Sequence, residues 1–231
     1  MTETPFSTRL RQASAADWDA AISHRFVREL SAGTVPQAVM RHYLVQDYQF
    51  IDRFVALLGA AIATADSYAA RLRLAQFLAM IVSDENTYFV RAFDALGIPA
   101  AERAAPVLDP TVRAFQALMG EAAESRSYAG ALSVLVVAEW LYLSWAERHQ
   151  GPLPPDFVHA EWITLHDNPF FRDVVGWLRG ELDRTGATLN AAGQARCESL
   201  FQRAVALERG FFDSLYAVAG EPGGTGTVSA V

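Results

Sequence analysis

Residues 131–146 read Ala131-Leu-Ser-Val-Leu-Val-Val-Ala-Glu139-Trp-Leu-Tyr-Leu-Ser-Trp-Ala146. The run is apolar on nearly every side, the pattern of a helix buried all round and not of an amphipathic surface helix. A stretch this short, with Glu139 inside it, is not expected to span a membrane. Glu139 is the one ionisable residue in the run. A buried carboxylate is costly, so it must be paired, protonated, or set in a polar cavity. Burial raises a carboxyl pKa toward neutrality, where the group can serve as a general acid or base. Pairing with an arginine on a neighbouring helix is the alternative.

Outward from this helix the pattern stays helical. Ser14 followed by Asp17 has the form of a capping box and predicts a first helix over 15–31, stopped at Ser31-Ala-Gly33. Pro36 suits the first turn of a long helix reaching about residue 64. A third is predicted over 68–96, ending at Gly97-Ile-Pro99. Residues 98–110, with their prolines, read as a loop holding at most a short helical turn. Further helices are expected over about 110–123, 127–149, 156–166, 169–184 and 189–218. Residues 1–13 read as a flexible arm, and the Gly-rich 219–231 as a disordered tail. No convincing alternating strand pattern occurs. The expectation is all-α: one domain over 14–218, a bundle of seven or eight helices.

Composition agrees with a deep core. Of 231 residues, 52% are hydrophobic, including fourteen Phe and five Trp, which suits one large domain. Charged residues are 19%, below the usual quarter, and hint at apolar surface covered in a homo-oligomer. A net charge of -7 argues against nucleic acid or an anionic membrane as partner. The single Cys excludes an internal disulfide, and the N-terminus shows no secretory pattern, so a cytoplasmic protein is expected.

Several chemistries find no motif: there is no GxGxxG, P-loop, GxSxG or HExxH. Glu85-Asn-Thr-Tyr88 has the spacing of a di-iron Glu-x-x-His pair, but Tyr stands where His is needed, so neither metal nor cofactor is expected. Cys197 lies in a polar stretch with no adjacent base and reads as a bystander. What remains is a set of acids among aromatics. Tyr43, Asp47, Phe50 and Phe54 share a helix face, where a carboxylate beside rings could hold an aminopyrimidine-like heterocycle. Asp47 could equally be a solvated edge residue. Glu139 and Tyr142 share a face by their spacing. Glu208 interrupts the apolar run 204–212, unless it turns outward to Arg203 or Arg209.

These segments carry a resemblance. His24-Arg-Phe26 with Leu30-Ser-Ala-Gly-Thr-Val-Pro36, Tyr43-Leu-Val-Gln-Asp-Tyr-Gln-Phe50, Glu161-Trp-Ile-Thr-Leu-His-Asp-Asn-Pro-Phe-Phe171 and Glu208-Arg-Gly-Phe-Phe212 resemble the motifs of the TenA/thiaminase II family. The resemblance covers about 15–218 and implies the haem-oxygenase-like fold. Members with a nucleophilic Cys carry it in the central helix; here Ala138 takes that position and Glu139 follows. The chain thus resembles the branch with Glu in place of the Cys. That implies hydrolysis of aminopyrimidine products of thiamin breakdown, a salvage reaction, by direct attack of water and without covalent addition. By resemblance, Asp47 binds the pyrimidine's amino group and ring nitrogen, and Phe50, Tyr128, Tyr142 and His166 complete the substrate pocket. Glu139 and Glu208 are the candidate base and acid. His166 stands where members carry Tyr or Trp, and Phe50 replaces a Tyr. The family implies a dimer or tetramer. Two alternatives stay open: a non-catalytic heterocycle binder on the same fold, and a haem or iron protein with His24 as axial ligand.

Overall fold

The computed structural model describes residues 4–218. Twelve α-helices and one π-helical segment follow in order: α1 Phe6–Ala13, α2 Ala15–Ile22, α3 Arg25–Ala32, α4 Gln37–Thr64, α5 Tyr68–Met80, the π segment Ile81–Glu85, α6 Asn86–Ala95, α7 Ala100–Ala104, α8 Pro110–Glu124, α9 Tyr128–Ala146, α10 Phe157–Leu165, α11 Pro169–Gly186 and α12 Ala191–Val218. No strand occurs among the described residues. The class is all-α, as read from the sequence, with more segments than the seven or eight expected.

The extra segments have local causes. The helix predicted over 15–31 is two, because His24 caps α3: its Nδ1 accepts the Phe26 N–H at 3.1 Å and starts a new helix there. Residues 6–13, expected to be a flexible arm, are helix α1 instead. Phe6 and Leu10, one turn apart, are both buried. The Phe6 ring lies so close to Gly186 that a Cβ there would meet it at 2.1 Å. The Ser7 N–H donates to Asp183 Oδ1 at 2.6 Å, and Arg11 lies over the rings of Trp18 and Trp140. The tail 219–231 lies outside the described residues.

Helix α9 is the axis of the bundle, packed by α2, α4, α8, α11 and α12. Ser127 caps it by accepting the Gly130 N–H at 3.1 Å. At 19 residues it is long and apolar enough, by length and composition alone, to cross a membrane, but 89% of it is buried inside the protein. It is a core helix. The long α4 and α12 flank it and bring Asp47 and Glu208 toward Glu139. The protein's cations are all outside this core, and all 19 are arginine, for the sequence has no lysine.

Candidate active site

A cleft of about 620 Å³, counting its open mouth, lies against the middle of α9. Four acids line it: Asp47 from α4, Glu85 from the end of the π segment, Glu139 from α9 and Glu208 from α12. Aromatic rings form much of the rest, with Phe50 and Phe54 from α4, Phe115 from α8, Tyr142 from α9, Trp162 from α10 and Phe211 from α12. Phe50 packs edge-on to Phe115 at 4.9 Å between ring centroids and stacks on Phe54 at 5.6 Å. Ala138 also lines the cleft.

No arginine among the described residues pairs with any of the four acids. Arg203 donates two parallel hydrogen bonds to the Glu121 carboxylate at 2.8 and 3.0 Å, and Arg209 donates to Asp17 at 2.8 Å. The outward pairing open to Glu208 in sequence is therefore not made, nor is the arginine partner considered for Glu139. Asp47, Glu139 and Glu208 are buried, and Glu85 is partly so. Burial without a cation pushes Asp47 up to about 7, with the neighbouring Tyr43 hydroxyl pulling the other way. It pushes Glu85 up to about 8, where the charge of Asp47 adds to the effect. Glu139 rises well above the usual carboxyl range, by burial first and then by Glu85, Glu208 and Asp47. Glu208 rises likewise, by burial and then by Asp47. Four acids coupled in this way share protons and titrate as a set. The cleft thus sets Asp47, brought near neutrality, beside carboxyls that burial and mutual repulsion also push up, an arrangement suited to acid and base work in one place.

His166, the C-cap of α10, is buried in the same wall. Its Nδ1 bonds the Trp162 carbonyl at 2.8 Å, which fixes that nitrogen as the donor and leaves Nε2 with the lone pair. Burial lowers its pKa to about 4. It is a neutral ring, 4.9 Å from Tyr142 and 4.4 Å from Trp162.

Of the residues read from the sequence, the cleft brings together Asp47, Phe50, Glu139, Tyr142, His166 and Glu208. Tyr128 is a correction. It sits at the first turn of α9, and its hydroxyl donates to Glu181 at 3.0 Å, beside Arg184 and Asp66. Eleven residues of helix, about 16 Å, separate it from Glu139. His24 is also elsewhere. Its Nδ1 takes the Phe26 N–H and its Nε2 lies 3.2 Å from Asp213, so both ring nitrogens are engaged and it does not fit an axial haem ligand. Cys197 is buried on α12, outside the cleft. No three His, Cys, Asp or Glu among the described residues are arranged to hold a metal ion.

Among the lining residues not offered as site residues from the sequence are Glu85 and Gln46. Glu85 was weighed as half of a metal pair and as lying near a Glu…His segment of the family it resembles; what brings it to the cleft is the π segment, a wide turn that often marks a functional position. Gln46 clamps the loop before α8: its Nε2 donates to the Val107 carbonyl at 3.0 Å and its Oε1 accepts the Asp109 N–H at 2.9 Å.

Known proteins resemble this chain in sequence or in fold. A protein of Bacillus subtilis (strain 168) named aminopyrimidine aminohydrolase is 26% identical over 172 residues, covering 74% of this chain and 72% of its own. One of the same name from Helicobacter pylori is 22% identical over 215 residues, covering 91% and 98%. A TenA homologue from P. horikoshii OT3 superposes with a TM-score of 0.82 at 21% identity, over 93% of this chain and 99% of that one. A domain of unknown function from Shewanella denitrificans OS217, described as having a heme oxygenase-like fold, superposes at 0.68 with 12% identity, over 92% of each. The fold is haem-oxygenase-like. The sequence pattern of the TENA/THI-4/PQQC family matches residues 11–217, nearly the whole of the described chain, and this protein belongs to that family.

Proposed function

We propose that the protein is a hydrolase of C–N bonds acting on aminopyrimidine products of thiamin breakdown, with buried carboxyls activating water in place of a thiol. The observation that carries this reading is the meeting of four unpaired acids in one aromatic cleft beside Ala138. The aromatic lining, Phe50 and Tyr142 included, suits a flat heterocycle, and Asp47 can take hydrogen bonds from its exocyclic amine. Glu139 and Glu208 then act as a pair. When the shared set has given up a proton, the unprotonated member of the pair takes a proton from water as the water oxygen attacks the carbon bound to the leaving nitrogen. The C–N bond breaks, and the protonated member gives its proton to that nitrogen. Both relatives named above as aminopyrimidine aminohydrolases support the reaction class.

The test is a mass-spectrometric turnover assay with thiamin, a formylaminopyrimidine and an aminopyrimidine offered separately. Turnover of a pyrimidine amide or amine but not of thiamin is expected. Glu139→Gln should abolish turnover while keeping pyrimidine binding. An unaffected rate removes Glu139 from the mechanism. Tight binding with no product from any of the three favours a non-catalytic binder, the reading to which the lost nucleophile at Ala138 also lends itself.

A further inference from the structure

The polar side chains that line the cleft are mostly of one kind. Besides the four acids they are Gln46, Thr111, Tyr142, Trp162 and His166. Three of these are already committed. Gln46 holds the loop at Val107 and Asp109, the Trp162 indole N–H donates to the Tyr43 oxygen at 2.9 Å, and the Tyr142 hydroxyl lies 3.1 Å from that same oxygen. His166 gives its one ring proton to the Trp162 carbonyl, so its Nε2 can only accept. No arginine is among the lining residues, and the sequence has no lysine. Among the described lining side chains, that leaves carboxyls, a bare imidazole nitrogen and the Thr111 hydroxyl to face a ligand.

Such a wall matches a ligand that brings both the donors and the positive charge. A phosphate or carboxylate would be buried there with no cation to hold it. The acids do not converge on a metal ion either, since no three such groups among the described residues are close enough to share one. An organic cation is larger, can meet several carboxyls at once, and gains from the rings around it, Phe50, Phe115 and Trp162 among them. Glu85 is the acid best placed to meet it first. It is the least buried of the four, comes to the cleft on the π segment, and is the one acid without a part in the proposed hydrolysis. We propose that the cleft takes its ligand as an organic ammonium ion while the acid set gives up a proton, and that Glu85 is the specificity-determining residue for that charge.

The titratable groups around this exchange come from every packed element: Asp47 and Tyr43 from α4, Glu85 from the π segment, Tyr88 from α6, Glu139 and Tyr142 from α9, His166 at the end of α10, and Glu208 from α12. Helix α8 adds Thr111, Val112 and Phe115, none of them charged. Burial keeps the three tyrosines and His166 neutral, so the acids alone can answer an arriving charge. Without a ligand, burial and mutual repulsion hold protons on them. A positive charge within reach favours the ionised carboxyl instead, and by linkage a proton leaves as the cation enters. The same exchange leaves a carboxyl ionised beside the ligand, the state that activation of water needs.

The inference rests on the proposed hydrolysis only for the choice of ring, so its test is binding without turnover. Two 4-aminopyrimidines of matched size are compared, one with an aminoethyl and one with a hydroxyethyl group at C5. Only the first carries an ammonium, and neither has a nitrogen on the carbon next to the ring for the reaction to expel. Calorimetry at pH 7, in buffers of different ionisation enthalpy, should show the amine binding about tenfold tighter or more, the worth of one hydrogen bond to a charged group. It should also release about one proton more than the alcohol does. Affinity for the amine alone should climb between pH 6 and 8, by up to about tenfold per unit. Glu85→Gln should weaken the amine and bring the two affinities within about threefold of each other. Equal binding of the two ligands, no extra proton released, a flat pH dependence, or a Glu85→Gln that weakens both alike overturns the proposal. Should Glu85→Gln fail to fold, the pH series on the wild type decides. Charge selection with no pyrimidine turned over removes the hydrolase reading alone; turnover with no charge selection removes this inference alone.

Discussion

At the scale of single residues, the cleft separates groups that the sequence treats alike. Glu208 and Glu121 are both glutamates on helices near arginines. One is buried and raised, the other bonded to Arg203 and held below the usual carboxyl range. Replacing Glu208 with Gln keeps the shape and removes one acid from the shared set. Turnover of the pyrimidine should fall about 10²–10⁴-fold, the usual worth of one general acid or base. The same change removes a charge that raises Glu139, so the Glu139 midpoint should drop. A pH–rate profile of Glu208→Gln beside wild type checks both; a profile that neither falls nor moves places Glu208 outside the mechanism. Asp47 was legible in the sequence because it interrupts an aromatic face. Tyr128 was misread because a motif position says nothing of how far along a helix it lies from the reacting atoms.

At the scale of elements, α9 could be read directly: an apolar run without a polar face has nowhere to go but inside. Leu135 on it is fully buried, and Leu135→Ala should cost about 2–5 kcal/mol by chemical denaturation. The boundaries of α4, α8 and α12 were legible from Pro36, Pro110 and the apolar spacing. The π segment was not, since Ile81-Val-Ser-Asp-Glu85 continues the pattern of the helices on either side and nothing in its composition marks the wider turn. Deleting Ser83 should let α5 and α6 join as one regular helix and swing Glu85 off the cleft. Circular dichroism should show helix content kept, while the proton set loses a member. An intact four-acid titration would mean the wide turn does not place Glu85. The helix at 6–13 was missed for another reason: its helical state depends on the contact of Phe6 with Gly186, made 180 residues away in the chain. Gly186→Ala should therefore loosen α1, seen as faster hydrogen exchange at Ser7 to Gln12.

At the scale of the whole molecule, the buried acids set how stability varies with pH. A carboxyl raised in the folded state binds its proton more tightly there than in the unfolded chain. Its contribution is complete below the unfolded value near 4 and is lost as pH climbs through the folded one, about 7 for Asp47 and about 8 for Glu85. His166 works the other way. Lowered to about 4, it favours the folded state above its ordinary 6.5, and that help fades as pH falls toward 4. The melting temperature should therefore rise as pH is lowered from 9 to about 6.5 and flatten below, where His166 opposes the acids. Glu85→Gln should raise the value at pH 8.5 and reduce the slope. A melting temperature that rises from pH 6.5 to 9 would contradict the raised carboxyls. We also propose self-association as a dimer or tetramer, since Tyr68, Leu72, Val82 and Val90 lie exposed along α5, the π segment and α6. Sedimentation should give two or four chains, and Leu72→Glu with Val82→Glu should lower that number; a monomeric wild type ends the idea.

The exclusive use of arginine for positive charge has a bearing on all of these titrations. A guanidinium does not release its proton anywhere in the working range, and no lysine is present to begin doing so above pH 9. Between pH 7.5 and 9 the usual side-chain background of a proton-uptake curve is therefore nearly silent. Protons counted in that window, corrected for the terminal amine, Cys197 and the tails of the histidine and tyrosine titrations, report on the interior of the cleft. For this chain, a simple potentiometric curve is a spectroscopy of the site.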